Sequence, residues 1–277
     1  GSHPAQQRLI FEELVAHQIS LLTRRAYIRQ IAAPRFSNSK VLAKQLLSTL
    51  PFAMTAAQKR VSKEILHDLK QEQPMLRLLQ GDVGAGKTLV AAVAACHALE
   101  ANWQVALMAP TEILAEQHYL NFKRWFEPLG IQVAWLSGKQ KGKARTQAEQ
   151  QIKAGHAQLI IGTHALFQDS IEFSKLGLVI IDEQHRFGVD QRLALRNKGA
   201  DQFTPHQFVM TATPIPRTLA MSAYGDLDTS IIDELPPGRT PIQTVTIPLE
   251  RREQVLQRIV SNCTEGKQAY WVCTLVE

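Results

Sequence analysis

The sequence has few cysteines, few aromatic residues and no long apolar run. Its three cysteines, Cys96, Cys263 and Cys273, lack the spacing of metal ligands, and an odd, sparse count is typical of a reducing compartment. No apolar run reaches the roughly 18 residues that a membrane-spanning helix needs, and no secretory signal is recognisable. We therefore expect a cytoplasmic protein with no membrane partner, whose cysteines are buried apolar residues.

The sequence does contain enough apolar residues for a packed core, together with an uneven positive charge. Hydrophobic residues make up 45% of the 277 residues and charged residues 20%, which is typical of a globular protein. Residues 1–50 hold seven Lys/Arg and two Asp/Glu, so most of the net charge of +6 lies there. This basic segment is either a solvated helix face or a surface that binds a polyanion.

Two helices are predicted in the first 50 residues. Leu14, Ile19 and Leu22 recur at near-helical spacing within residues 6–30, and a second helix is predicted from about residue 40. Residues 1–3 have the sequence of an expression-tag remnant, and we assign residues 4–50 to a helical basic arm or linker. Because these helices have no obvious core of their own, we expect them to dock on the rest of the chain or on a part of the protein outside it.

From residue 74 onwards, short apolar runs alternate with helical patterns. Strands that alternate with helices favour an α/β fold with a mostly parallel sheet, covered by helices on both faces. In such sheets, ligands bind beyond the carboxyl ends of the strands. The predicted strands are residues 75–80, 104–110, 131–138, 158–163, 176–182 and 207–213, and the predicted helices between them are residues 87–101, 112–126 and 143–155.

The character of the sequence changes again near residue 235. Residues 234–241, ELPPGRTP, predict a hinge because proline and glycine interrupt regular structure. A helix is predicted over residues 250–262, and a strand over residues 268–276. We therefore assign residues 51–235 to one α/β domain, and residues 236–277 to a hinge and the truncated start of a second one.

A phosphate-binding loop is predicted directly after the first strand. Residues 81–88, GDVGAGKT, match the phosphate-loop pattern at every fixed position. The glycines let successive backbone N–H groups point at one anion, and the positive end of the following helix adds to the attraction. Lys87 would contact the β- and γ-phosphates of ATP, and the Thr88 hydroxyl would bind Mg²⁺, which prefers oxygen ligands. The predicted nucleotide-binding residues of this loop are Gly81, Asp82, Val83, Gly84, Ala85, Gly86, Lys87 and Thr88.

Two adjacent carboxylates follow the apolar strand at residues 176–182. Transfer of a phosphoryl group to water needs a second ligand for the metal and a group that orients the water. We predict that Asp182 binds Mg²⁺ through a water and that Glu183 is catalytic, together with Lys87. The phosphate loop alone would also suit a small-molecule kinase or a transporter ATPase.

Five segments occur in a fixed order between residues 51 and 240: PFAMTAAQ, APTEILAEQH, GTHALF, DEQH and TATPIPRT. They resemble, motif by motif, the superfamily 2 helicases and translocases, which implies a RecA-like P-loop domain. The resemblance implies that Phe52 and Gln58 bind the adenine, with Thr55 in the same element. It implies DNA contacts for Pro110, Thr111, Gly162, Thr163 and His164, and coupling of the nucleotide to DNA by Gln184, His185, Thr211, Thr213 and Arg217.

Several of these assignments have a plain structural alternative. Thr111 and Thr163 are also typical helix-capping or strand-end residues, and His164 or His185 could be a hydrogen-bonded core histidine. Residues 138–145, GKQKGKAR, are either a solvated loop or a second DNA contact. The cations of this segment are Lys139, Lys141, Lys143 and Arg145.

The segments GKQKGKAR, VIIDEQHRFGV and DELPPGRTP resemble one branch of superfamily 2, the bacterial helicases that remodel stalled forks. That branch implies branched double-stranded DNA as a partner. It also implies a wedge domain, which lies outside this chain, and a second RecA-like lobe, most of which lies outside it. Because the family's arginine finger would lie in that second lobe, we expect the chain alone to hydrolyse ATP very slowly.

Two other functions stay open at this point. The transcription-repair coupling translocases share HRFGV and TATPIPRTL, but they typically have a second Glu at the position of Gln184 and lack the GKQKGKAR segment. The chain could also be an ATP-binding module without motor activity, in which the nucleotide is a structural ligand.

Overall fold

Seven strands form one parallel sheet in the part of the chain that the structure describes. The structure is a computed structural model that describes residues 3–28, 30–36, 40–168, 170–183, 203–213, 227–234 and 242–272. The strand order is β3-β4-β2-β5-β6-β1-β7, and all neighbouring strands are parallel. The strands are β1 (Leu76–Gly81), β2 (Gln104–Met108), β3 (Val133–Leu136), β4 (Leu159–Gly162), β5 (Leu176–Asp182), β6 (His206–Thr211) and β7 (Asp228–Ile232). The predicted α/β fold with a parallel sheet is confirmed.

The sequence patterns did not predict β7. Its side chains alternate between exposed and buried, with Ser230 and Ile232 facing the protein and Ile231 facing solvent. Such a strand at the edge of a sheet does not need the continuous apolar run that identifies the inner strands.

The predicted helices are all present, together with one helix, residues 56–69, that the sequence patterns did not predict. They are α1 (Pro4–Ile28), α2 (Val41–Thr49), α3 (Ala56–Leu69), α4 (Lys87–Glu100), α5 (Glu112–Phe126), α6 (Gly142–Lys153) and α7 (Arg252–Thr264). None of the helices in the described residues is both long and apolar enough to cross a membrane.

Strand β5 shows why the inner strands are apolar at every position. Leu178 and Ile180 pack into a cluster with α4, whereas Val179 and Ile181 pack into a second cluster on the opposite face of the sheet. Successive side chains of a strand point to opposite faces, so a strand covered on both faces has no solvent-facing position. The first polar side chains along this strand therefore come where it leaves the sheet.

The two N-terminal helices differ in their packing. Helix α2 buries Leu42 and Leu46 in the main core, and the Glu100 carboxylate accepts the backbone N–H groups of Val41 and Leu42 at 2.9 and 3.1 Å. The described apolar side chains of α1 are exposed; they are Leu9, Ile10, Phe11, Leu14, Val15, Ile19 and Leu22. The expected docking on the body is thus confirmed for α2.

A buried histidine joins the segment before α2 to the sheet. His206 Nδ1 accepts the N–H of Met75 at 2.9 Å, and Nε2 donates to the carbonyl oxygen of Pro34 at 2.6 Å. The ring also makes an edge-to-face contact with the buried Phe36. Burial lowers the pKa of His206 from 6.5 to about 4, so the ring is neutral at physiological pH.

Residues 238–277 form a compact unit separate from residues 1–237. The predicted helix is confirmed as α7, but the predicted strand is wrong over residues 268–272, where Tyr270 and Val272 are exposed and no strand forms. A strand needs a hydrogen-bonded neighbour, and residues 242–272 contain no other strand with which it could pair. Residues 273–276 lie outside the described part, and the division into domains stays a prediction.

Candidate nucleotide and nucleic-acid site

The phosphate loop and the two acids lie on either side of one strand end. Strand β6 separates β5 from β1, and Asp182 at the end of β5 pairs with Met210 of β6. On the other side, Gln80 of β1 pairs with Thr211 of β6. Because the three strands are parallel, their carboxyl ends meet at one edge, which is where α/β sheets bind ligands.

The phosphate loop depends on a glycine directly before α4. Gly86 has a φ of +82°, a left-handed conformation that disfavours other residues, and it forms the N-cap of α4. A Cβ at this position would also overlap the side-chain nitrogen of Gln58. With Lys87 as its first residue, α4 presents its N-terminal backbone N–H groups to the loop, where they can bind an anion.

Lys87 lies among the backbone carbonyls of its own loop. Its Nζ donates to the carbonyl oxygens of Gly81 at 2.8 Å and Asp82 at 3.1 Å. Burial lowers the pKa of the Lys87 ammonium, and the negative charges of Asp182, Glu183 and Asp82 oppose that shift. The lysine and the two acids therefore share one electrostatic environment, although they lie about 95 residues apart in the sequence.

Asp182 has a histidine partner that the sequence patterns did not reveal. The Oδ2 atom of Asp182 lies 2.7 Å from Nε2 of His118, on α5, and both side chains are largely buried. An ionised carboxylate can only accept, so Nε2 carries the hydrogen and donates it. The only available signal was that His118 is the last residue of APTEILAEQH, two helical turns after Thr111.

Glu183 connects the end of β5 to the end of β6. Its φ is +51°, which is uncommon for a residue with a side chain. Its Oε1 accepts the N–H of Ala212 at 2.9 Å, and its Oε2 accepts the hydroxyl of Thr211 at 3.2 Å. The Thr211 hydroxyl oxygen in turn accepts the N–H of Thr213 at 3.1 Å. Glu183 and residues 211–213, which we call the TAT segment, therefore form one hydrogen-bonded unit.

Three of the predicted coupling residues, Gln184, His185 and Arg217, lie outside the described residues. Their roles stay predictions. The structure shows Glu183 itself bonded to Thr211, whereas the resemblance implied coupling through Gln184 and His185 and not through Glu183.

The proposed adenine-binding element is bonded to the phosphate loop. Thr55 and Gln58 form a capping box at the start of α3, in which the Gln58 Oε1 accepts the Thr55 N–H at 3.0 Å. The Gln58 Nε2 donates to the carbonyl oxygen of Ala85 at 2.8 Å. Gln58 is buried by these contacts, whereas Phe52 is exposed and open to stacking. Adenine binding by Phe52 and Gln58 stays a prediction.

The predicted backbone-contacting segments follow neighbouring strands at the same edge. Pro110 and Thr111 follow β2, and the Thr111 hydroxyl oxygen caps α5 by accepting the Leu114 N–H at 3.3 Å. Thr163 follows Gly162 at the end of β4; its hydroxyl is buried and has no hydrogen-bond partner among the described residues. His164, the last of the residues predicted to contact the DNA backbone, is exposed.

The four predicted cations of residues 138–145 fall into two groups. Lys139, Lys141 and Lys143 are all exposed, and Lys139 pairs with Glu112 at 2.7 Å. Arg145 is largely buried; it donates to Glu149 at 2.7 Å and to Gln168 at 2.9 Å. The description of all four as one loop is wrong, because α6 begins at Gly142 and includes Lys143 and Arg145.

The donors at this edge fit a hard metal ion bound together with a nucleotide. No group of three or more acidic, histidine or cysteine side chains in the described ranges could hold a metal alone. Mg²⁺ in nucleotide sites takes one or two protein oxygens and completes its shell with phosphates and waters. Thr88 at the start of α4 and Asp182 at the end of β5 supply such oxygens.

Comparisons with known proteins agree with this geometry. The chain is 61% identical to the ATP-dependent DNA helicase RecG of Escherichia coli (strain K12), over 100% of its own length and 40% of that protein. It is 45% identical to the RecG of Aquifex aeolicus (strain VF5), over 98% of the chain and 34% of the relative. The chain thus spans about 40% of the length of the first of these curated relatives.

Solved structures show the same fold. A structure described as RecG bound to a three-way DNA junction matches 95% of the chain and 35% of its own length, with 41% identity and a TM-score of 0.84. The UvsW helicase from bacteriophage T4 matches 71% of the chain and 68% of its own length, at 18% identity and a TM-score of 0.52, and supports the fold alone. The family model described as DEAD/DEAH box helicase matches residues 55–222. Since that match covers more than half of the chain and contains the site just described, the chain belongs to the DEAD/DEAH box helicase family.

Proposed function

We propose that the chain is the ATP-binding lobe of a translocase and helicase that acts on double-stranded DNA. Its substrate would be branched DNA, such as stalled forks and junctions, in recombination and repair. One observation carries the proposal: Lys87 of the phosphate loop shares its electrostatic environment with Asp182 and Glu183 across the end of β6. A lysine for the phosphates and two acids for metal and water are the parts that ATP hydrolysis requires.

The chemistry divides among residues at this edge. The backbone N–H groups of residues 81–88 and the N-terminus of α4 bind the phosphates, with Lys87 on the β- and γ-phosphates. Thr88 and Asp182 would hold Mg²⁺, which would supply positive charge to neutralise the charge that develops on the phosphates. Glu183 orients the attacking water, because its carboxylate is fixed by Thr211 and Ala212.

The same hydrogen bonds supply a route from the nucleotide to the DNA. Glu183 and Thr211 move as one unit, so a change in the position of the acid during hydrolysis shifts the TAT segment. The backbone contacts proposed for Thr111 and Thr163 lie at the ends of β2 and β4, in the same sheet. Contacts of this kind fix a protein on DNA without reading its sequence.

Motor activity needs partners that lie outside this lobe. A second RecA-like lobe would supply the arginine finger, and a wedge domain would split the fork. An arginine finger is worth about 10³–10⁵ in rate, so the 277-residue chain alone is expected to hydrolyse ATP very slowly. The names of the 61%-identical relatives and the junction-bound structure support branched DNA over the transcription-repair alternative. We place the protein in the bacterial cytoplasm, where its DNA substrate is.

The proposal is tested by DNA-stimulated ATP hydrolysis in the full-length protein. Glu183→Gln should lower the stimulated rate by at least about 100-fold, because the water loses the carboxylate that orients it, while nucleotide binding remains. Normal turnover by this variant would show that Glu183 does not have the assigned role.

The alternative of a binding module without motor activity is tested by combining that hydrolysis assay with a measurement of how much ATP–Mg²⁺ stabilises the folded chain. A bound nucleotide at 100 times its Kd stabilises the folded chain by about 2.7 kcal/mol, and Lys87→Ala should abolish that stabilisation. Stabilisation by ATP–Mg²⁺ with no DNA-stimulated hydrolysis in the full-length protein would favour the binding module.

A further inference from the structure

The acid assigned to the metal has a fixed hydrogen-bond donor. His118 Nε2 lies 2.7 Å from Asp182 Oδ2, and the two side chains are only 10% and 13% exposed. A hydrogen bond between a ring N–H and a carboxylate at this distance is short and directional. The phosphate-loop chemistry and the DNA contacts described above make no use of His118.

The backbone of α5 holds this donor in place. The helix begins with the Thr111 cap, and it buries Ala115, Phe122 and Phe126 on the face that carries His118. The His118 ring also makes an edge-to-face contact with the ring of Phe122 at 6.4 Å. With its helix packed and its ring in contact, the imidazole approaches Asp182 from one direction only.

Asp182 itself has one remaining freedom. Its backbone is the last residue of β5 and is fixed in register with Met210 of β6. Its carboxylate can still rotate about the side-chain torsions, and the hydrogen bond with His118 selects one orientation. The bond from His118 engages Oδ2 and so leaves Oδ1 to accept from a water bound to the metal.

We propose that His118 is a positioning residue for the metal at the nucleotide site, acting through Asp182. The inference rests on the proposed function, in which Asp182 binds Mg²⁺. A histidine bonded to a metal-holding carboxylate fixes the orientation of that ligand, and the loss of such a partner typically lowers metal affinity about 10–100-fold. His118 therefore sets how much Mg²⁺ tightens nucleotide binding and does not contact the phosphates.

The test is the metal dependence of nucleotide binding by the 277-residue chain. The Kd of a fluorescent ATP analogue is measured in excess Mg²⁺ and in excess EDTA, and the ratio of the two values is compared between variants. His118→Phe keeps an aromatic ring but removes the donor, whereas His118→Gln keeps an amide N–H that reaches a similar position. Phe126→Leu is the matched control, since it disturbs the packing of α5 without removing a donor or the ring that His118 contacts.

The expected result is specific to the metal. His118→Phe should reduce the Mg²⁺-dependent tightening about 10–100-fold and leave the Kd in EDTA unchanged, and His118→Gln should restore most of it. Phe126→Leu should lower the thermal midpoint without changing the ratio. An unchanged ratio in a folded His118→Phe chain would overturn the positioning role, as would an equal loss in His118→Gln and His118→Phe.

Two further variants keep the test decisive. If His118→Phe does not fold, His118→Met replaces it as a flexible apolar side chain without a donor. In an Asp182→Asn background, His118→Phe should cause no further loss, because its effect passes through that carboxylate; an additive loss would contradict the inference. If the unmodified chain binds no nucleotide in either condition, the proposed function and the inference fail together. If the unmodified chain binds nucleotide and the His118 variants show the same ratio as the unmodified chain, the inference alone fails.

Discussion

Acidification should destabilise the chain through His206, because this ring is buried in its neutral form. The pKa of His206 is lowered from 6.5 to about 4 by burial, while the unfolded chain takes up the proton at the ordinary value. Above pH 6.5 neither state is protonated, and the contribution to stability is complete. Between pH 6.5 and 4 the unfolded state binds more protons than the folded one, so the free energy of unfolding falls as the pH falls.

The magnitude follows from the width of that window. Each unit of pKa difference corresponds to about 1.4 kcal/mol, so stability lost between pH 7.5 and pH 5 amounts to roughly 2 kcal/mol. Well below pH 4 the loss levels off at about 3.4 kcal/mol, because both states are then protonated. This loss is a large part of the stability of a typical domain.

The assay is urea unfolding of the chain at pH 7.5, 6.5, 5.5 and 5, followed by circular dichroism. His206→Gln loses part of the bonding to Met75 and Pro34, so it should be less stable than the unmodified chain at pH 7.5. That deficit should shrink by about 2 kcal/mol at pH 5, since glutamine does not take up a proton. His156→Gln, at an exposed position, is the matched control and should keep the pH slope of the unmodified chain. A deficit of His206→Gln that stays constant from pH 7.5 to pH 5 would refute the reasoning.

Three further predictions concern the phosphate loop and the cations of residues 138–145. Gly86→Ala should abolish nucleotide binding, measured by thermal stabilisation, because φ is +82° there and a Cβ would overlap Gln58; binding equal to that of the unmodified chain would show that the loop tolerates another conformation. Replacing the exposed Lys141 and Lys143 with Ala should flatten the dependence of log K for DNA on log salt by about two units in the full-length protein and leave the thermal midpoint unchanged. Arg145→Ala should instead lower the thermal midpoint, because it breaks the bonds to Glu149 and Gln168; the reverse pattern would assign Arg145 to DNA and the lysines to the fold.

The sequence by itself determined the inner strands, most of the helices and the phosphate loop. A strand that is buried on both faces is a run of apolar residues, as β5 is, and an amphipathic helix has apolar residues at helical spacing. Both kinds of element can therefore be predicted from the local sequence. The phosphate loop is similarly local, because its conformation depends on glycines within residues 81–88. A strand was wrongly predicted at residues 268–272, because it would need a partner strand that residues 242–272 do not contain. Strand β7 was missed, because its exposed and buried residues alternate at the edge of the sheet.

Only the tertiary structure decided how the local pieces meet. The strand order places β6 between β5 and β1, and so brings Glu183 against Thr211 and both acids near Lys87. The His118–Asp182 bond joins residues 64 positions apart, and the Arg145–Gln168 bond joins residues 23 apart. Partners at such separations leave no periodic signal, because the backbone of each segment would be the same without them. The sequence therefore named the candidate reacting groups, and the packing of the sheet and α5 set which side chains contact them.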